Sequence, residues 1–389
     1  MRELLEESFR AAVAAADPLK ILGPHLPPPP KGRTFVAAAG KAAASMAVAV
    51  EKNWPAPLEG IAVTRYRHGL PTKHIRVVEA GHPVPDEAGE RAARDILAAV
   101  RSLGREDLLL ALLSGGGSSL LSLPAPGIAM SELKSLTGRL LKSGADIREM
   151  NTVRKHLSAI QGGRLAAASR APVVALIISD VVGDDPTHIA SGPCAPDPTT
   201  IEDAKAVLAK YGIEFRGPFS ESPKTSTATN KVIATAYRSL EAAAEVFRRQ
   251  GIRPEILGDG ITGEARAVGR EMAGLARRTK GPAALISGGE CTVTVEGDGG
   301  RGGRCTEFLL SLGIESEGIW AIAADTDGID GTEDNAGAIL TPQSMKKGHD
   351  AKALLARHDS YGFFSALGDL VVTGPTRTNV NDYRAILII

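Results

Sequence analysis

The sequence predicts an α/β protein in which a Rossmann-like α/β/α parallel-sheet domain precedes a distinct second α/β domain, with a cleft expected between them. Short apolar runs of strand length alternate with segments of helical periodicity, the pattern of a doubly wound parallel sheet. Several of these runs end abruptly in glycine-rich or aspartate-rich loops, of which Leu108 to Leu121, LLLALLSGGGSSLL, is the sharpest. At 389 residues with 43% apolar content, the chain exceeds what one core usually organises and can fill two.

Taken in order, Glu3 to Ala16 has apolar residues at helical spacing, and prolines between Pro24 and Pro30 then enforce an extended connector. Strands are predicted at Thr34–Ala39, Gly60–Thr64, Ile75–Ala80, from Leu108 and at Val173–Ile178. Helices are predicted at Ala42–Trp54, Glu87–Leu103, Ser131–Lys142, Ile147–Ser169 and Thr199–Lys210. The proline-bearing stretch Gly217 to Lys224 reads as a connector, so domains are expected over 1–222 and 223–389. The second domain repeats the theme: a strand-like Thr225–Thr235, helices at Tyr237–Gln250 and Gly263–Arg278, a strand running into Ser287-Gly288-Gly289-Glu290, an alternating strand Cys291–Val295, and a strand at Trp320–Ala323.

Lysine plus arginine equals aspartate plus glutamate at 45 each, so no overall field would recruit nucleic acid or an anionic membrane. A small-molecule partner is expected. Cys194, Cys291 and Cys305 are widely spaced, which gives neither a disulfide framework nor metal-binding CxxC spacing and suits a reducing compartment. No apolar run approaches a membrane span and the N-terminus is not signal-like, so a cytoplasmic location is expected.

The candidate chemistry lies at strand ends. Gly115, Gly116 and Gly117 let backbone N–H groups approach an anion, while Ser114, Ser118 and Ser119 flank them before a helix start. Lys41 stands at a strand-to-helix junction, where a cation opposes the helix dipole unless an anion arrives; the alternative is a solvated surface lysine. Neither a Walker A loop nor a GxGxxG fingerprint is present. Past Ile178, Asp180, Asp184 and Asp185 crowd into one loop, a pattern that suits a divalent cation or, failing that, turn and capping chemistry. His82 between Gly81 and Pro83 reads as structural. An adaptable glycine-rich loop, Gly297 to Gly303, leads into Arg304 at another helix start, followed by the acidic loop with Asp325, Asp327, Asp330 and Asp334. The stretch Val371 to Asp382 reads as a site wall.

These motifs in order, Gly40-Lys41, LLSGGGSSLL, SDVVGDDPTHIASGP, GRGGR with Glu307, DTDGIDGTEDNAGA and TGPTRTNVND, resemble the class II glycerate kinases of the MOFRL family over nearly the whole chain. The resemblance implies phosphorylation of D-glycerate by ATP and Mg²⁺ in an inter-domain cleft, usually to 2-phosphoglycerate, with Lys41 and Arg304 matching the family's proposed catalytic lysine and arginine. On that reading the Gly115–Ser119 amides hold a nucleotide phosphate or the glycerate carboxylate, and Asp180 or Asp184 holds Mg²⁺, with Asp325 or Asp327 assisting or contacting ligand. One of these acids would accept the hydroxyl proton. Three departures stand out: Cys305-Thr306 after the arginine, Cys194 in place of a usual threonine, and Arg377, a further candidate ligand contact, where glycine is common. A homo-oligomer is allowed for. Two other activities fit parts of the pattern: an NAD(P)H-dependent hydroxypyruvate reductase and a non-catalytic two-lobed small-anion-binding protein.

Overall fold

A computed structural model describes every residue except 296, 298, 348 and 349, so Asp298 of the glycine-rich loop lies outside the described residues. The chain forms two compact units, Pro18–Ile233 and Met1–Asp17 with Ala234–Ile389.

In the first unit β1 (Thr34–Ala39), β2 (Leu58–Arg65), β3 (Ile75–Ala80), β4 (Leu108–Leu113), β5 (Val173–Ile178) and β6 (Thr229–Ala234) build one sheet in the order β3-β2-β1-β4-β5-β6. The pairs from β3 through β5 are parallel. β1 and β4 are buried along their whole length, as continuous apolar strands covered on both faces should be. Ile96, Leu97 and Val100 of the helix Glu87–Arg101 supply part of that cover and belong to the same core as Val63, Leu109 and Ile177. The chain leaves β1 toward β2 and β3 on one side, and β4 opens the other side. The sheet therefore has its topological switch point between β1 and β4, where ligands bind in open α/β sheets.

The second unit is built differently. With β7 (Arg253–Gly258), β8 (Gly263–Glu264), β9 (Ala283–Gly289), β10 (Cys291–Thr292), β11 (Trp320–Asp325), β12 (Gly337–Leu340), β13 (Leu370–Val371) and β14 (Asp382–Ile388), it forms a sheet in the order β13-β12-β11-β14-β9-β7, plus a small β10-β8 ladder. Only β7 and β9 run parallel in the large sheet; β14 is antiparallel to both β9 and β11. The N-terminal helix Arg2–Ala14 joins this unit. Leu5, Phe9 and Ala12 share a core with Leu240, Phe247 and Tyr383, and the Tyr383 hydroxyl donates to Ser8 Oγ at 2.8 Å.

The compact units end at 17/18 and 233/234, because β6 completes the first sheet and the first helix packs on the second. Two expectations are corrected. The stretch 217–224 is pinned: Asp197 N donates to the Pro223 carbonyl at 3.0 Å, and Arg164 Nη2 to the Ser220 carbonyl at 2.7 Å. The long helix expected over 147–169 ends at His156 and resumes only at Arg164–Ala167, since Gly162 and Gly163 turn the chain at φ 60° and 82°.

Candidate active site

Parallel pairing sets Ala39 of β1 beside Leu113 of β4, so Gly40-Lys41 and Ser114-Gly115 leave the sheet side by side. Three hydrogen bonds lock them: Ser114 N to the Ala39 carbonyl at 3.0 Å, Lys41 N to the Gly115 carbonyl at 2.8 Å, and Ala42 N to Ser114 Oγ at 3.0 Å. Glycine is required twice. A Cβ on Gly40, whose φ is 129°, would lie 2.1 Å from Ser114 Oγ, and one on Gly116, at φ 80°, would lie 2.8 Å from His82 Nε2 and 3.4 Å from Lys41 Cγ. The lysine stem, the His82 ring and the SGGG loop thus form one cluster.

Within that loop the serines divide. Ser114 is fully buried and its hydroxyl pins Ala42, while Ser119 Oγ donates to the Gly116 carbonyl at 3.1 Å, so both serve the loop itself. Ser118 Oγ meets Ser191 Oγ at 2.8 Å, and Ser191 Oγ lies 3.2 Å from Asn151 Oδ1. Among the described residues the backbone N–H groups of Gly115, Gly116 and Ser118 have no protein acceptor. Gly115 is buried and Gly116 and Ser118 are half-buried, so a ligand that took these donors would satisfy groups the fold leaves unpaired. The helix expected after the loop is a single turn, Gly117–Leu120, so an anion here would meet these amides and not a long macrodipole.

The loop after β5 carries Asp180 and Asp184, both half-buried. Asp184, Ala190 and Ser191 have φ of 55°, 52° and 58°, and the left-handed Ala190-Ser191 turn delivers Ser191 to Ser118. Such non-glycine conformations cost of order 1–3 kcal/mol each and cluster at functional sites. Among the described residues no group of three or more His, Cys, Asp or Glu is arranged to hold a metal ion. Nearby, Lys155 and Asp197, both 1% exposed, pair at 3.2 Å. Burial pushes the Asp197 carboxyl up, but Lys155 and the Thr199 hydrogen bonds outweigh it and leave its pKa lowered. Lys155 is therefore a buried, paired lysine of the framework.

In the second unit Arg304 opens the helix Arg304–Glu315, and the anions that make it welcome there are the protein's own. Its Nε donates to Asp382 Oδ1 at 2.7 Å and its Nη2 to Asp325 Oδ2 at 2.5 Å, with Nη1 3.6 Å from Glu290. Burial alone would lower the guanidinium pKa; Asp382 and Asp325 overcome it and raise it. Asp382 Oδ2 also accepts from the buried Arg384 at 2.8 Å. Asp330 caps the helix, accepting from Cys305 N, Thr306 N and Thr306 Oγ1 at 2.8–2.9 Å; burial pushes its carboxyl up to about 6 against the pull of those donors. Asp325 Oδ1 accepts from Asp327 N, and Asp327 Oδ1 from Ile329 N, both at 2.9 Å. Asp325 is thus placed to position Arg304.

The glycine-rich loop is packed along its C-terminal half. A Cβ on Gly303 would come 2.2 Å from Asp330 Oδ1, one on Gly302 2.3 Å from Ser360 Oγ, and one on Gly300 2.6 Å from Asp359 Cβ. Arg377 sits at φ 60°, a conformation that favours glycine. Cys194 and Cys305 are fully buried, and burial raises both thiols, Cys194 to about 12, so neither is a nucleophile. Sequence reasoning passed over Asp382 and Ser191 as individual contributors; only the small polar loop ending at Asp382 hinted at the first.

The fold and its strand-end loops define a two-domain α/β protein with a candidate ligand site at a parallel-sheet switch point. Residues 4–220 match the model of a domain of unknown function (DUF4147), and residues 283–382 match that of the MOFRL family. The chain belongs to the MOFRL family and is an enzyme of the kinase class. An Agrobacterium vitis relative named for hydroxypyruvate reductase is 52% identical over 100% of this chain and 94% of its own. The glycerate 2-kinase of Pyrococcus horikoshii is 42% identical over 90% of this chain and 86% of its own. The crystal structure of glycerate kinase from Thermotoga maritima superposes with a TM-score of 0.91 at 40% identity, covering 100% of this chain and 99% of that one.

Proposed function

We propose that the protein transfers the γ-phosphoryl group of ATP to D-glycerate, giving 2-phosphoglycerate. The observation that carries this reading is the set of amides without protein acceptors at Gly115, Gly116 and Ser118, beside Lys41 at the switch point of a sheet that lacks a dinucleotide fingerprint. The kinase names of two of the relatives agree with it.

Phosphoryl transfer asks the protein for alignment and positive charge, because negative charge spreads over the oxygens of the migrating group. The loop amides hold a nucleotide phosphate or the acceptor carboxylate. Lys41 and Arg304 are the cations assigned to the transferring group, and Arg304 is held in orientation by Asp325 and Asp382 so that little reorganisation is needed at reaction. Mg²⁺, held through Asp180 or Asp184, would neutralise phosphate charge. Arg377 and Asp327 stand as further contacts to ligand. The enzyme acts on small molecules, in the cytoplasm. Chelation should abolish turnover and added Mg²⁺ restore it.

A second reading has one observation behind it. The strand order β3-β2-β1-β4-β5-β6 is that of dinucleotide-binding folds, and one relative is named for a reductase. Two assays on the purified protein decide: ADP release that requires D-glycerate supports the kinase, whereas NADH oxidation with hydroxypyruvate and no ADP release overturns it.

A further inference from the structure

The helix Ile147–His156 of the first unit carries an arginine whose charge the protein does not answer. Arg154 is half-buried, and among the described residues its guanidinium makes no hydrogen bond and no ion pair. Arginines set as deeply elsewhere are engaged. Arg164 donates to the Lys155 and Gln161 carbonyls at 2.7 and 2.9 Å and to that of Ser220 at 2.7 Å. Arg266 pairs with Glu307 at 2.8 Å, and Arg384 with Asp382 at 2.8 Å. Burial lowers the Arg154 pKa, and no carboxylate of the protein pulls it back as Asp382 and Asp325 do for Arg304. A cation held out of bulk water without a counter-charge is costly. Packing of the helix does not require it, since Val153 faces the core that Leu136, Leu140 and Leu157 build.

The segment that carries Arg154 is tied to the SGGG loop on both sides of it. Upstream, Asn151 Oδ1 lies 3.2 Å from Ser191 Oγ, which meets Ser118 Oγ at 2.8 Å. Downstream, Gln161 Nε2 donates to the Ser118 carbonyl at 2.8 Å and to the Leu121 carbonyl at 3.0 Å. Asn151 and Arg154, three residues apart, share a helix face, and side chains on a helix lean toward its N-terminus. The arginine stem therefore runs back along the turn that Asn151 anchors to the loop. A guanidinium without a counter-charge and the amides of Gly115, Gly116 and Ser118 without acceptors thus belong to one framework. Both lack the same thing, an oxyanion.

We propose that Arg154 is an anion-binding residue of the first unit, its planar fork taking a substrate oxyanion at the SGGG loop, either the acceptor's carboxylate or a nucleotide phosphate. The inference rests on the kinase reading above for the identity of that anion. The fork matches a carboxylate or phosphate with two parallel hydrogen bonds, which fixes the orientation of the ligand as well as holding it. Arg154 thereby differs in kind from Arg304. The one waits for its counter-charge from solution, and the other already has it from Asp325 and Asp382. A contact made equally well before and during transfer acts on affinity and not on the chemical step.

The test combines thermal unfolding, calorimetric titration and steady-state kinetics of the full-length protein, as wild type, Arg154→Met and Arg154→Lys, with D-glycerate, Mg-ATP and inorganic phosphate as probes. Arg154→Met keeps the bulk of the stem and removes the charge, so the ligand-free variant should melt at or above the wild-type temperature. It should bind one class of probe about 10–100-fold more weakly and raise the KM for that substrate, with kcat changed far less. Lost affinity for D-glycerate assigns the anion to the carboxylate, and lost affinity for Mg-ATP and inorganic phosphate assigns it to a phosphate; either supports the proposal. Arg154→Lys should recover only part of the affinity, because an ammonium cannot make the paired contacts of the fork. Unchanged affinity for all three probes in Arg154→Met, full recovery in Arg154→Lys, or a ligand-free Arg154→Met that melts lower or fails to fold overturns it. A wild-type protein that transfers nothing from ATP to D-glycerate refutes the kinase reading, and the titrations still judge Arg154; an active wild type with an Arg154→Met variant of normal affinity refutes only this inference.

Discussion

The two candidate regions solve the problem of holding negative charge in opposite ways. At the end of β4 the first unit presents backbone amides of Gly115, Gly116 and Ser118 without protein acceptors, with the Lys41 stem packed beside the same loop. At the start of Arg304–Glu315 the second unit surrounds its arginine with Asp325, Asp382 and, more distantly, Glu290, so the guanidinium is already oriented and largely neutralised. The difference teaches that one region is left with unmet hydrogen-bonding demand while the other has its cation held in a fixed direction. Their mutants should therefore fail differently.

The largest effect is expected at Arg304. Arg304→Ala should lower kcat by about 10³ or more and also destabilise the second unit by roughly 3–5 kcal/mol, since it strands two buried carboxylates. That loss of stability, which a free catalytic arginine would not show, is checked by denaturant unfolding beside the kinetics. Lys41→Ala should lower kcat comparably while leaving the melting temperature within a few degrees. Next comes the buried pair Lys155–Asp197: Lys155→Met should cost roughly 3–5 kcal/mol in urea unfolding. The folded pKa of Asp197 is depressed, so the stability it confers is complete above the unfolded value of about 3.9 and is lost as pH falls through the folded value. Asp197→Asn should accordingly flatten the acid end of the stability profile. Smaller still, Gly116→Ala should cost about 1–2 kcal/mol through its φ of 80° and displace His82, weakening anion binding measured by calorimetry. Ala190→Gly should change stability by under about 1 kcal/mol in the favourable direction, because glycine relieves φ 52°, and equal or lower stability would remove the strain argument there.

Much of the first unit was legible because apolar runs such as Leu108 to Leu113 are bounded by glycine and must lie in a covered parallel sheet. The second sheet was not, since a strand such as Asp382–Ile388 carries no mark of its direction in its own residues. Local composition also misled. Gly217 to Lys224 looks like a linker, yet Arg164 and Asp197, far back in the chain, tie its backbone down. Lys41 and the SGGG loop could be paired from their shared position at strand ends, whereas the anions that hold Arg304 lie twenty-one and seventy-eight positions away and meet it only in the folded sheet.

Phosphorus NMR of the product formed from D-glycerate and ATP tests the central claim most directly. The account predicts a new phosphomonoester signal coupled to the single proton of glycerate C2, together with ADP. A product resonance coupled to the C3 methylene would contradict the assigned position, and no phosphoester at all, with NADH consumed on hydroxypyruvate, would contradict the function.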